Sequence, residues 1–199
     1  MAGSEIAGFG GCAGSAAAGR YVGRKVAAYA REATPPVVER KQVDAEKKRV
    51  YAPVKRKDGI GWKELQAGIC RIMQDYCGEY KTERILRMGL WWLNSIRESE
   101  AARAYARNPH ELWRTLECLS RLTMGEIIMH ACLARKASSA ILGFNRLDYP
   151  EVDPPEWMKY VTVRQEDGEV KVGELPLDYW RLPPNAPALQ ENYRQHCGL

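Results

Sequence analysis

Apolar residues recur every three to four positions in the middle of the chain, which is the spacing of helices that bury one face. The first such stretch runs from Trp62 to Tyr76, and Gly78 is well placed to end it. Its apolar stripe consists of Trp62, Leu65, Ile69, Ile72, Met73 and Tyr76. We therefore predict a helix that turns this stripe inward.

Two further helices are predicted directly after the first. The second runs from about Thr82 to Arg107, and Gly89 within it indicates a close helix crossing. The third has Asn108 as its N-cap, a proline and then a glutamate in its first turn, and extends to about Ala137. The positions predicted to face inward are Ile85, Gly89, Trp92, Leu93 and Ile96 in the second helix, and Leu112, Leu116, Leu119, Ile127 and Ala131 in the third.

Three consecutive helices with short connections predict a mainly α fold, built on an antiparallel three-helix bundle over residues 62–145. The tryptophans of these helices, including Trp91, Trp92 and Trp113, are predicted to be core residues.

The chain before the bundle divides into two parts. Ala18, Val22, Val26 and Tyr29 recur at helical spacing with arginines on another face, which predicts an amphipathic helix ending before Pro35-Pro36. Residues 35–61 are predicted to be a charged connector, because their β-branched pieces are too short to define strands.

The chain after the bundle, residues 146–199, begins with a proline-rich ordered turn. Lys159–Val163 and Glu169–Gly173 then alternate in strand fashion around Asp167-Gly168, which predicts a β-hairpin with a tight turn. From Leu182 onward, prolines predict an extended C-terminal arm suited to lying across a neighbouring subunit.

Composition excludes several function classes. The 199 residues are 45% hydrophobic, enough for one main domain, and neither a long apolar run nor a signal peptide is present, so we expect a cytoplasmic protein. Six scattered cysteines without a CxxC pair predict reduced thiols and no metal centre. His110 and His130 lie too far apart on one helix to share a metal, and Ser138-Ser139 lacks a hydrolase context.

The net charge of +5 is concentrated in residues 39–58, where eight Lys/Arg face four Asp/Glu. A nucleic-acid patch is one interpretation of this segment, but it contains no recognisable binding motif. We expect a solvated connector and no nucleic-acid partner.

The first residues suggest a ligand site. Gly8-Phe9-Gly10-Gly11-Cys12-Ala13 matches G-x-G-x-x-A, but residues 1–7 are too short and too polar to provide the buried strand that a dinucleotide fold requires before it. A loop without large side chains lets a ligand approach the backbone, and the N–H groups of the following helix start, near Gly14 to Ala16, favour an anion. A flavin-contacting loop at the end of a domain, a separate Rossmann unit and a purely structural turn all remain open.

Two motifs resemble a known family. The Gly-rich loop followed by Gly14-Ser15 and Gly19-Arg20 resembles the final FAD-contacting stretch of fumarate reductase, succinate dehydrogenase and adenylylsulfate reductase flavoprotein subunits. Arg135-Lys136-Ala137-Ser138-Ser139, with Arg146-Leu147-Asp148-Tyr149-Pro150, resembles the R-K-E-S-R…R-x-D-Y-P segment that ends their helical domain. The dissimilatory adenylylsulfate reductase alpha subunit is the closest resemblance.

The resemblance implies that residues 1–34 are the terminal fragment of an FAD-binding domain. Gly11, Gly14, Ser15 and Ala16 would contact FAD, which needs a nucleotide-binding half supplied elsewhere. Residues 5–15 contain no Lys or Arg where fumarate reductases have a substrate arginine, and Ala137 and Ser139 replace the family's Glu and Arg. A dicarboxylate substrate is therefore not expected, and the resemblance implies that an internal ion pair or an active-site contact has been lost.

Our first hypothesis is a C-terminal part of an FAD-dependent oxidoreductase subunit, inactive alone, that completes a flavin site and docks an iron–sulfur or other electron-transfer subunit. The alternative is a non-catalytic helical module that retains the fold and binds only protein.

Overall fold

The computed structural model describes residues 15–140, 142–167 and 169–176. Its elements in chain order are α1 (Ser15–Glu32), α2 (Arg40–Lys55), α3 (Trp62–Tyr76), β1 (Tyr80–Lys81), α4 (Glu83–Glu98), α5 (Pro109–Ala134), β2 (Asn145–Arg146), β3 (Lys159–Glu166) and β4 (Glu169–Pro176), with 3₁₀ helices at Ala101–Arg103 and Pro155–Trp157. Helices α3, α4 and α5 pack on one another, and the predicted mainly α fold with a three-helix bundle is confirmed. The predictions for the Gly-rich loop and the C-terminal arm concern residues outside the described ones.

The third bundle helix, α5, uses a different inward face from the predicted one. Its buried residues are Thr115, Cys118, Leu122, Gly125, Met129 and Cys132, which alternate by three and four positions. The prediction followed the largest aliphatic residues, of which Ile127 is exposed, whereas the true seam contains small residues. Small side chains in the seam let the neighbouring helices approach closely.

Gly89 lies at the close helix crossing that the sequence predicts. A Cβ added there would lie 2.6 Å from the Cβ of Tyr76 and 2.7 Å from Cε of Met129. Since real Cβ atoms do not approach other atoms this closely, only glycine fits between α3 and α5 at this point. Gly125 has a similar role, with Met73 Sδ 3.0 Å from the added Cβ.

Helix α4 ends at Glu98, nine residues before the predicted end at Arg107. The chain instead turns into a 3₁₀ helix, and Ala104 then forms a parallel bridge with Ile60. Gly59 makes this pairing possible, because its φ is +144° and an added Cβ would lie 2.0 Å from the Arg103 carbonyl oxygen. A contact between distant segments thus ends the helix, and local apolar spacing could not reveal it.

Residues 35–61 contain regular structure, because α2 occupies most of this segment. Charged residues stabilise its exposed surface through pairs one turn apart, Arg40 with Asp44 and Glu46 with Arg49. Its last turn includes the buried Pro53, whose carbonyl accepts a hydrogen bond from Ala106 N at 3.1 Å. The connector is therefore a charged helix whose C-terminal end is attached to the bundle.

The tryptophan prediction is wrong for three residues. Trp91 is 62% exposed, Trp113 is 66% exposed, and Trp92 is also exposed. Trp91 and Trp92 contact each other edge to face, with ring centroids 4.7 Å apart. These rings therefore lie on the outer surface of the bundle.

The β-hairpin is confirmed and is longer than predicted. Strands β3 and β4 pair antiparallel along eight positions each, with Glu166 opposite Glu169. Asp167 has a φ of +51°, as a tight primed turn requires of its first central residue. The hairpin packs against α5.

Candidate functional site

Helix α1 begins at Ser15, so Ser15 and Ala16, two of the four predicted flavin-contacting residues, form its first turn. The other two, Gly11 and Gly14, lie outside the described residues. The first turn contains no acidic residue. Because the first N–H groups of a helix have no acceptor within it and the dipole is positive there, this end fits an anion or a polarised oxygen.

The side chains of α1 do not pack on the rest of the described chain. Every one that the structure describes on this helix is exposed. The apolar ones are Tyr21, Val22, Val26 and Tyr29, and an added Cβ at Gly19 or Gly23 would have no neighbour within 4 Å. An amphipathic helix gains stability by burying its apolar face, so α1 has the form of an element that packs on a further structure.

A buried arginine joins the ends of the bundle helices. Arg146 is only 1% exposed, and its Nη1 donates to the carbonyl oxygens of Cys132 at 2.6 Å and Arg135 at 2.9 Å. These are C-terminal carbonyls of α5, where a cation is favourable. The guanidinium carbon lies 4.9 Å from the ring centroid of Tyr149.

Asp148 completes this arrangement. Its two carboxylate oxygens accept hydrogen bonds from Arg146 Nε and Nη2, each at 2.8 Å. One of those oxygens also accepts from Glu83 N at 2.7 Å, at the start of α4. We call Arg146, Asp148 and Tyr149 the Arg146 clamp, because it connects the C-terminus of α5 with the N-terminus of α4.

Short backbone pairings hold the residues of the Arg146 clamp in place. Strands β1 and β2 pair in parallel beside it, and Leu147 N donates to Lys81 O at 2.9 Å. The buried Ser138 accepts from Arg146 N at 2.9 Å and donates to Tyr149 O at 2.9 Å. The segment after β2 is therefore ordered, as predicted, although its order comes from these bonds and not from its prolines alone.

Hydrogen bonding from Arg146 lowers the pKa of Asp148 from 3.8 to about 2. Asp148 is therefore ionised, and its ion pair with Arg146 is intact, at pH values above about 2. Burial lowers the pKa of the neighbouring Arg135, whose guanidinium lies against the Trp157 ring. Ala137 and Ser139, where the resemblance implies a lost ion pair or active-site contact, are both buried.

A family model described as the fumarate reductase flavoprotein C-terminus matches residues 66–189, which include most of the bundle, the clamp and the hairpin. The chain belongs to the fumarate reductase flavoprotein C-terminal family. The R-x-D-Y-P motif of this family member is the Arg146 clamp, so the motif has a structural role at the end of the bundle. No curated protein gave a sequence match.

Solved structures share this fold. Adenylylsulfate reductase from Archaeoglobus fulgidus matches with a TM-score of 0.65 at 24% identity, over 71% of this chain and 25% of that one. E. coli quinol fumarate reductase matches with a TM-score of 0.62 at 21% identity, over 76% and 27%. The Mycobacterium smegmatis Sdh1 complex matches with a TM-score of 0.64 at 22% identity, over 84% and 30%.

This member of the flavoprotein C-terminal family therefore spans between 25% and 30% of the length of those three structures. In the described part of the chain, no helix is both long and apolar enough to cross a membrane. The clamp was present in the sequence as a motif, but its arginine and aspartate were not predicted as site residues. The signal in the sequence was the spacing of Arg146 and Asp148, since two opposite charges two positions apart can form an ion pair.

Proposed function

We propose that this chain is the C-terminal part of an FAD-dependent oxidoreductase subunit, in which the start of α1 completes a flavin site. Membership of the flavoprotein C-terminal family over residues 66–189 is the observation on which the proposal rests. The fold shared with adenylylsulfate reductase and fumarate reductase agrees with it. In this proposal a nucleotide-binding half completes the site, and the chain spans 25% and 27% of the length of those two structures.

The start of α1 suits the pyrimidine edge of the flavin ring, which becomes negatively charged on reduction. Gly11, Gly14, Ser15 and Ala16 would bring backbone N–H groups to that edge, and Arg20 and Arg24 follow on the same helix. When bound, FAD supplies the electron and hydride chemistry. The role of the chain's own residues is to hold the ring and stabilise negative charge, which raises the flavin potential.

The exposure of α1 supports a packing role as well. In this proposal residues 1–34 are the last piece of the FAD-binding domain, and the stripe of Tyr21, Val22, Val26 and Tyr29 packs on the half that binds the nucleotide. Burying four such side chains stabilises an association by about 1.5 kcal/mol or more for each fully buried residue.

Docking of an iron–sulfur or other electron-transfer subunit is the second part of the proposal. Exposed aromatic residues on the bundle, Trp91, Trp92 and Trp113, support it, since such residues are enriched at protein interfaces. The C-terminal arm would extend this interface. Trp91→Ser should weaken co-purification of that subunit while the circular dichroism of the chain stays the same.

The flavin site is tested by placing a negative charge at the start of α1. The chain is co-expressed with the nucleotide-binding half, and the flavin content of the purified complex is measured from its visible absorbance. Ala16→Glu should remove most of the flavin, because the new carboxylate repels the pyrimidine carbonyl oxygens, which carry partial negative charge in the oxidised ring and more after reduction. Ala28→Glu is the matched control, since Ala28 is exposed on the same helix and adds the same charge three turns away.

Equal flavin retention in Ala16→Glu and Ala28→Glu would refute the flavin role of α1. A wild-type complex that assembles without any flavin would favour the alternative, a helical module that binds only protein. A nucleotide-binding half that fails to bind the chain would refute the packing role of α1.

A further inference from the structure

Two cysteines, one from the end of the first bundle helix and one from the end of the third, lie close together beside the Arg146 clamp. Cys77 is the C-cap residue of α3, and Cys132 lies in the last turn of α5. Their sulfur atoms are 3.9 Å apart and share a hydrogen bond, although the residues are 55 positions apart in sequence. A disulfide has an S–S length of about 2.05 Å, so the two sulfurs need to approach by roughly 1.9 Å.

The two residues differ in how firmly they are held. The backbone of Cys132 is fixed, because its carbonyl oxygen accepts the 2.6 Å hydrogen bond from the buried Arg146. Cys77 stands where α3 has ended, with a φ of −130°, and Gly78 follows it. A small movement at the end of α3 can therefore bring the Cys77 sulfur to a stationary Cys132.

The charges around the pair favour a reactive Cys77. The Lys81 ammonium is buried beside the pair, donates to Glu79 O at 3.2 Å and lies over the Phe144 ring. A hydrogen bond from Cys132 and the positive charge of Lys81 lower the pKa of Cys77 to about 7. The same hydrogen bond and burial raise the pKa of Cys132, which therefore remains a thiol and a donor.

The two cysteines lie close to the surface of the bundle. Cys77 is partly exposed, and Cys132 lines a cavity of about 200 Å³ between α5 and the first residues of β3. Hydrogen peroxide is small enough for such a space. Cys118 differs in this respect, because it is fully buried and donates to Trp62 O within the core.

We propose that Cys77 and Cys132 form a redox-active dithiol pair that reduces hydrogen peroxide and closes into a disulfide. The Cys77 thiolate attacks one peroxide oxygen and the O–O bond breaks, which gives a sulfenic acid on Cys77 and, after protonation, one water. The Cys132 sulfur then attacks the Cys77 sulfur, its proton leaves with the sulfenic oxygen as a second water, and the S–S bond forms. Two thiols thus supply the two electrons that convert one peroxide to two waters.

Disulfide formation would link the end of α3 to the end of α5 next to the clamp. The proposal is independent of the flavin site and of any partner subunit, because all its groups lie within the bundle and the two short strands. Reduction by a small dithiol would restore the two thiols.

The test uses the full chain treated with hydrogen peroxide, followed by alkylation and peptide mapping by mass spectrometry without reduction. We expect a peptide pair linked through Cys77 and Cys132 that dithiothreitol removes. Cys70→Ser is the matched control, because Cys70 is an exposed thiol on the same helix, and this variant should form the link to the same extent. In Cys132→Ser, whose hydroxyl can still donate to the Cys77 sulfur but cannot form a disulfide, the sulfenic acid on Cys77 should persist and react with dimedone about tenfold more than Cys70 does.

The linked peptide is measured in the wild-type chain, so the main result does not depend on whether a variant folds. Peroxide treatment that oxidises Cys70 but leaves Cys77 and Cys132 unlinked would overturn the proposal. Equal dimedone labelling of Cys70 and Cys77 in Cys132→Ser would overturn the assignment of Cys77 as the attacking thiol.

Discussion

Replacing Asp148 with asparagine should destabilise the bundle more than any comparable change at an exposed ion pair. The substitution keeps the size of the side chain but removes the charge that faces the buried Arg146 through two 2.8 Å bonds. It also places an amide N–H₂ where the guanidinium or Glu83 N requires an acceptor.

The magnitude follows from two considerations. Removing one partner of a buried ion pair costs about 3–5 kcal/mol. Arg146 keeps its two carbonyl acceptors and the Tyr149 face, and Asp148 is 28% exposed, so water can partly replace the carboxylate. We therefore expect a loss of about 2–3 kcal/mol in the free energy of unfolding.

The assay is equilibrium unfolding in urea, with far-UV circular dichroism as the signal. Asp75→Asn is the control, because Asp75 pairs with Arg71 at 2.5 Å on the exposed surface of α3. That pair should contribute less than about 1 kcal/mol. A loss in Asp148→Asn no greater than in Asp75→Asn would show that the clamp does not hold the helix ends together.

The pH dependence of stability in acid provides a second measurement of the ion pair between Asp148 and Arg146. The pKa of Asp148 is lowered from 3.8 to about 2 in the folded chain, so the unfolded chain binds the proton more readily. The stability from this group is therefore complete above about pH 4 and is lost as the pH falls toward 2. The difference in unfolding free energy between the wild type and Asp148→Asn should shrink across this range, and a constant difference would contradict the shift.

Two further substitutions test the packing and the capping. Gly89→Ala should destabilise the fold by about 1–3 kcal/mol, because the added Cβ would overlap Tyr76. Gly23→Ala on α1 has open space and should be neutral or stabilising by up to about 1 kcal/mol. Thermal unfolding compares the two variants, and equal effects on stability would contradict the close helix crossing at Gly89. Asn108→Ala should cost about 1 kcal/mol, since its side chain accepts from Glu111 N at 2.9 Å, and a melting temperature equal to that of the wild type would show that the cap contributes nothing.

Features set by neighbouring residues were predictable from the sequence. The start of α5 follows from Asn108 and Pro109, and the hairpin turn follows from Asp167-Gly168, because caps and tight turns depend on a few adjacent residues. The crossing at Gly89 was predictable because a glycine within an apolar helical pattern usually has a packing reason.

Features set by distant contacts were not predictable in the same way. The end of α4 depends on the pairing of Ile60 with Ala104, and the inward face of α5 depends on which residues are small enough for a close seam. Trp91 is exposed although it lies on a helix with an apolar pattern, because the bundle has no fourth helix over that surface in the described residues. For the candidate site, the helix that begins at Ser15 was predicted, whereas the partners of Arg146 were not.

The position of the clamp in the chain has a consequence for folding kinetics. The hydrogen bond between Glu83 and Asp148 joins residues 65 positions apart, whereas each bundle helix forms from local contacts. Closing so long a loop costs entropy before any bond is gained, so we expect the helices to associate first and the clamp to close after the rate-limiting barrier. Weakening the clamp should then accelerate unfolding and leave the folding rate unchanged, and the clamp would set the lifetime of the folded bundle.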